Sequence, residues 1–139
     1  PHPPAGRLEG YLFKDAAKNQ VYVKKQSQPG AKTAVTEYRT IKTKGSLSLV
    51  ECRLLTGRTH QIRAQMAAFG HPLLGDGKYG VERRNRAYGE SGQALYSYQL
   101  AFRFSTPAEG LDYLNGQRFS VSSVDFVEKY FKGKNIVDI

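Results

Sequence analysis

One cysteine, Cys52, and one methionine, Met66, are all the sulfur this 139-residue chain carries. A lone cysteine excludes an internal disulfide and any multi-cysteine metal site, and it favours a reducing compartment. Cys52 lies in the run 47–55, where the expected role is that of a small strand residue rather than a reactive thiol. Long apolar runs are also missing: nothing approaches the roughly 20 residues that a bilayer-spanning helix needs. No signal-peptide pattern opens the chain. A soluble cytoplasmic protein without a membrane partner is therefore expected. Acidic residues are scarce, 12 Asp and Glu against 21 Lys and Arg, which gives a formal net charge of +9 and a pI near 9.7. Phosphate contacts from Lys and Arg supply most non-specific affinity for nucleic acid, so nucleic acid is the first partner to consider. The alternative is a basic surface that is simply solvated.

What is present is enough for one domain with a real core, since 40% of the residues are hydrophobic and no low-complexity tract interrupts them. The chain opens on Pro1-His2-Pro3-Pro4 rather than on methionine, as expected of a fragment or trimmed chain. Short β-type runs at 8–13 and 21–25 flank a polar turn and predict a hairpin. The runs 34–42 and 46–55, joined by Lys44-Gly45, predict two adjacent antiparallel strands.

A helix is expected over 60–69, with Gly70 as its stop. At 100° per residue Ile62, Met66 and Phe69 fall within about 60° of one another and form the expected buried stripe. Arg63 lies about 60° from Met66 on that wheel. It should be partly buried, which is costly for a guanidinium unless a carboxylate or phosphate pairs with it. Residues 75–92, rich in Gly, Arg and Asn, read as a long surface loop. The run 94–104 is the cleanest strand pattern: Tyr96, Tyr98, Leu100, Phe102 and Phe104 share one face, predicted to be core. A loop over 105–116, a strand at 117–121 and a final helix through Phe131, capped by Ser122 or Ser123, complete the chain. The fold class is α/β (α+β), an antiparallel or mixed sheet with a few packed helices.

The densest chemistry lies in Thr56-Gly57-Arg58-Thr59-His60-Gln61-Ile62-Arg63, followed by Gly75-Asp76-Gly77-Lys78-Tyr79-Gly80. Spacing alone allows either a helix N-terminus that holds phosphate or a strand-to-helix turn that happens to be basic. The stretch LLTGRTHQIRAQMAAFGHPLLGDGKYG (54–80) resembles the third conserved motif of the RluA-type RNA pseudouridine synthases and that family's following Gly-His-Pro and Gly-Asp-x-x-Tyr segment. The runs AKTAVTEYRTI (31–41) and ALYSYQLAFRF (94–104) resemble the strands on either side of it, so the resemblance covers most of the chain.

The resemblance implies isomerisation of uridine to pseudouridine within rRNA or tRNA, by an aspartate and without metal or organic cofactor. That family's His-Arg-Leu-Asp motif has no match here, nor has its upstream tyrosine motif. None of Asp15, Asp76, Asp112, Asp125 and Asp138 stands in such a context, and Asp76 matches the non-nucleophilic Gly-Asp segment. The 139 residues are thus expected to form the C-terminal portion of a catalytic domain and to be inactive alone. The resemblance assigns Arg63 as the partner of a catalytic aspartate absent from this chain. Arg58, His60 and Gln61 would line the nucleotide path, and Lys78, Arg83, Arg84 and Arg86 would contact the RNA backbone. For His60 a capping or RNA-contacting role is preferred to a general base, and Gln61 could instead bond local backbone. A non-catalytic RNA-binding module is the alternative, and a structural or protein-interaction domain a third reading.

Overall fold

The computed structural model describes residues 1–132, which fall into two compact units that divide between Ala94 and Leu95. The first is built on a four-stranded antiparallel sheet of β1 (Ala5–Asp15), β2 (Gln20–Lys24), β3 (Ala31–Lys44) and β4 (Leu47–Leu54), ordered β2-β1-β3-β4. Both hairpins expected from alternation are present. β1 and β3 run longer than their apolar runs suggest, because Ala5 to Phe13 finds a full ladder along β3. An irregularity between Thr40 and Lys42 admits Ile41 as an extra residue in β3.

Pairing Leu8 with Thr36, Gly10 with Ala34 and Leu12 with Val23 puts these side chains on one face of the sheet. Helix α1 (Gln61–Ala68) lies against β2 and β3. Leu12, Val21, Ala34 and Ala64 form its small apolar core, with Tyr79 packed against it. The opposite face is ionic: Arg7 pairs with Glu9 and Glu37, Arg53 with Glu37, and Arg39 with Glu51. Such exposed pairs contribute little each.

The expected stripe on α1 is only partly correct. Met66 is buried, whereas Ile62 and Phe69 are half-buried and the helix instead buries Gln61, Ala64 and Gln65. The reason is the sheet beneath it, which offers polar partners. Gln65 accepts from the hydroxyl of fully buried Thr36 (2.7 Å) and donates to the carbonyls of Leu8 and Ala34. Gln61 donates to Val35 O and Thr36 Oγ1. Thr56 Oγ1 and the Arg58 N–H in turn donate to Gln61 Oε1. Every polar atom of this interface is paired, as burial requires.

The stretch 75–92 is not all loop. It contains α2 (Glu82–Tyr88), ended by Gly89 at φ 67°. Only Asn85 of this helix is buried, so no apolar period betrays it in the sequence. Among the described residues no helix is long and apolar enough to cross a membrane.

The second unit contains a two-stranded antiparallel ladder of β5 (Gln99–Ala101) and β6 (Arg118–Ser120), a 3-10 turn (Asp112–Leu114) and α3 (Asp125–Tyr130). The long strand expected over 94–104 shrinks to three residues, because its ladder extends only as far as its short partner. Tyr96 and Leu100 of the predicted core face are 53% and 55% exposed. Phe102 packs edge-on to Phe104 and Phe119. The expected serine cap of the last helix is also corrected: Val124 occupies that position, and no side chain caps the helix.

Candidate functional site

The site is assembled by the strand-to-helix turn 55–61, the first turn of α1 and the loop 73–81, joined by the Arg63–Asp76 ion pair and the His60–Tyr79 contact. Arg63 Nε donates to Asp76 Oδ2 at 2.7 Å and Nη2 donates to Oδ1 at 3.0 Å. This bidentate fork is the strongest geometry available to the two groups. The Asp76 side chain is fully buried and that of Arg63 is 15% exposed. Asp76 Oδ1 also accepts the backbone N–H groups of Lys78 and Tyr79, each at 2.9 Å, the Asx-turn bonding that suits Asp in a tight loop.

The loop's shape depends on two glycines and one asparagine. Gly75 has φ +77°, and a Cβ there would lie 1.9 Å from Gly92 O; a Cβ at Gly80 would lie 2.1 Å from Asp76 O. Buried Asn85 accepts from the Gly75 N–H and donates to Asp76 O, which ties the loop to α2.

Tyr79 completes the arrangement. The Arg63 guanidinium sits over its ring, 5.2 Å from the centroid. Its hydroxyl accepts from the Val21 N–H at 2.8 Å and lies 3.0 Å from His60 Nδ1. His60 is the residue before α1, in the left-handed region at φ 52° and ψ 24°, and its side chain makes no capping bond. The capping role expected for it is therefore replaced by the Tyr79 contact.

The electrostatics follow from this packing. Burial pushes the Asp76 carboxyl up, yet hydrogen bonds from Arg63 and from the Tyr79 and Lys78 backbone outweigh it and bring the pKa down to about 2. The bond to Asp76 raises the guanidinium above its ordinary value against the effect of burial. Burial, then the charges of Arg63 and Lys78, lower His60 below the ordinary histidine value, with a further contribution from Lys14. A neutral imidazole is favoured there.

The residues expected at the site divide into four groups. Arg63, His60 and Lys78 come together, with Lys78 Nζ donating to the carbonyls of Lys18 and Asn19 in the β1–β2 turn. Arg58 is exposed and its Nε donates to Thr33 O. Gln61, expected on the nucleotide path, is instead buried at 3% exposure; its amide is consumed by the helix–sheet network, which is the local-bonding role. Arg83, Arg84 and Arg86 are exposed on α2 rather than on a loop. Burial lowers the pKa of His71, and the charge of Arg84 adds a smaller contribution in the same direction.

Within this chain the acidic partner that the position of Arg63 demands is Asp76, which takes its Nε and Nη2 donors. Asp76 and Tyr79 are the residues missed as site members; the demand for a carboxylate near Arg63 was the available signal. Cys52 is half-buried, and burial followed by the Glu51 charge raises its pKa to about 11, which suits an inert thiol. Among the described residues no group of three His, Cys, Asp or Glu side chains is placed to hold a metal ion.

Residues 1–68 match the family profile described as RNA pseudouridylate synthase. The chain is 36% identical over 114 residues to ribosomal large subunit pseudouridine synthase D of Zymomonas mobilis, a match covering 76% of this chain and 36% of that protein. It is 42% identical over 88 residues to the chloroplastic RNA pseudouridine synthase 2 of Arabidopsis thaliana, covering 58% of this chain and 20% of that protein. Among solved structures, human RNA pseudouridylate synthase domain containing 1 shares the fold, with a TM-score of 0.63 at 20% identity over 96% of this chain and 62% of that one. The chain belongs to the RluA-type RNA pseudouridine synthase family. It spans only a minor part, 36% and 20%, of these two curated relatives.

Proposed function

We propose that this chain works as part of an RNA pseudouridine synthase acting on ribosomal or transfer RNA, with the reactive aspartate supplied by protein outside these 139 residues. The observation that carries the reading is the Arg63 fork held in the segment of family resemblance, with its Nη1 side not used on Asp76. Asp76 itself is unsuited to attack. It is buried, and both carboxylate oxygens are committed to hydrogen bonds. Conversion of uridine to pseudouridine breaks the bond from N1 to the sugar C1′ and forms one from C5 to C1′. The C5 proton is lost to solvent, and N1 regains a proton. A cation near the incoming aspartate keeps that carboxylate ionised for the task.

Arg58, Lys78 and the neighbouring Lys14 provide a basic rim for phosphate, and the exposed Arg83, Arg84 and Arg86 extend the positive charge along α2. The target base has to leave its stack to be reached, as single-stranded or flipped nucleotides do. A second reading, an RNA-binding module without chemistry, is favoured by the absence among the described residues of any aspartate other than Asp76 paired with Arg63.

Tritium release from RNA labelled at uridine C5 separates the two. Release by the whole protein that carries this chain, and none by the 139 residues alone, is the expected result. Release by the isolated chain would overturn the external aspartate. No release by the whole protein, with RNA binding that falls steeply as salt is added, would favour the binding module.

A further inference from the structure

We propose that Asp76 and Tyr79 are positioning residues for the isomerisation, fixing the Arg63 guanidinium in one orientation so that its Nη1 side faces the reacting anion. This rests on the activity proposed above. Three features of the structure point to it. First, the guanidinium is constrained in its plane by the two bonds to Asp76 and on its face by the Tyr79 ring. A group needed only for charge would not require both restraints. Second, the restraining residues are themselves anchored. The Asp76 carboxylate is fixed by two backbone N–H groups and its carbonyl by Asn85 and the Gly80 N–H, while the Tyr79 hydroxyl is fixed to Val21 of β2.

Third, the fork engages Nε and Nη2, so of the five donors of a guanidinium those on Nη1 are not spent on Asp76. The Arg63 side chain keeps 15% of its surface exposed, although its partner has none. The pair is therefore closed on the Asp76 side and open on the other. An ion pair serving stability alone is usually replaceable by apolar packing. An aimed donor is not replaceable in that way, because catalytic electrostatics depends on donors already pointing where charge develops.

The test compares Asp76→Asn with the wild type in the whole protein, using tritium release from C5-labelled RNA and normalising to the folded fraction measured by thermal melting. A positioning role lowers kcat by about 10- to 100-fold, the cost of small misplacement, and leaves KM for RNA close to wild type. A role in folding or RNA binding alone would instead leave kcat per folded molecule unchanged or act on KM, and either result overturns the proposal. If Asp76→Asn does not fold, Tyr79→Leu decides, since it removes the ring beneath the guanidinium and leaves the carboxylate in place. A fall in kcat with KM preserved supports the proposal, and an unchanged kcat overturns it. A wild-type protein that releases no tritium would overturn the activity itself, a result distinct from an active wild type matched by its variants.

Discussion

Helix α1 carries two buried polar contacts that solve different problems. On the side facing the sheet, Gln61 and Gln65 join Thr36 and the carbonyls of Leu8, Ala34 and Val35 in a neutral network. On the side facing the loop, Arg63 holds Asp76 in an ionic fork. The neutral network is saturated and points nowhere else, so it fixes the helix on the sheet. The ionic pair is saturated on the carboxylate but open on the guanidinium. Burial of polar groups is thus used once for architecture and once for direction.

Removing the carboxylate should break the comparison most severely. Asp76→Ala leaves a largely buried guanidinium unpaired and is expected to cost about 3–5 kcal/mol in urea unfolding. A smaller loss would mean that Arg63 swings out to water. Gln61→Leu attacks the other side: it strands the Arg58 N–H and the Thr56 hydroxyl and should cost about 2 kcal/mol by the same measurement, while leaving the acid response of the Arg63–Asp76 pair intact.

That acid response distinguishes the two contacts directly. The Asp76 carboxyl is depressed from 3.8 to about 2 in the folded chain. Its contribution is fully present above the unfolded pKa and is lost as pH falls through the folded one. Stability should therefore drop by about 2 kcal/mol between roughly pH 5 and pH 1, a component that unfolding curves of Asp76→Asn should lack. His60 acts with the same pH sign from the opposite charge type. Its depressed pKa means that protonation below the ordinary histidine range works against the fold. The smallest effect belongs to the exposed Arg86–Glu82 pair of α2. Arg86→Ala should change stability by only about 0.3–0.5 kcal/mol, and a larger change would show that Arg86 contributes more than its pair with Glu82.

The strands were legible wherever alternation met a partner of matching length. Leu8, Leu12, Val21 and Ala34 lie on strands read from pattern alone, and the antiparallel order of β3 and β4 follows from the Lys44-Gly45 turn. The run 96–104 shows the limit. Its alternation correctly identifies side chains that could share a face, but exposure of Tyr96 and Leu100 depends on what covers that face, and β6 pairs with only three residues. Helix α2 stayed hidden because a short helix that buries one asparagine has no apolar period to detect.

In the site, one demand was readable and its answer was not. Sequence by itself determined that Arg63 stands beside the apolar side of a short helix, and so must find an anion, since a charge removed from water needs a partner. It also determined the family, through the long match around that helix. Only the tertiary structure decided that the anion is Asp76, that Tyr79 lies under the guanidinium, and that Gln61 turns inward. These outcomes depend on how the loop 73–81 returns to α1 and on the polar atoms that the sheet offers beneath the helix. Periodicity reports which way a side chain points, whereas the group it meets there is settled by the fold.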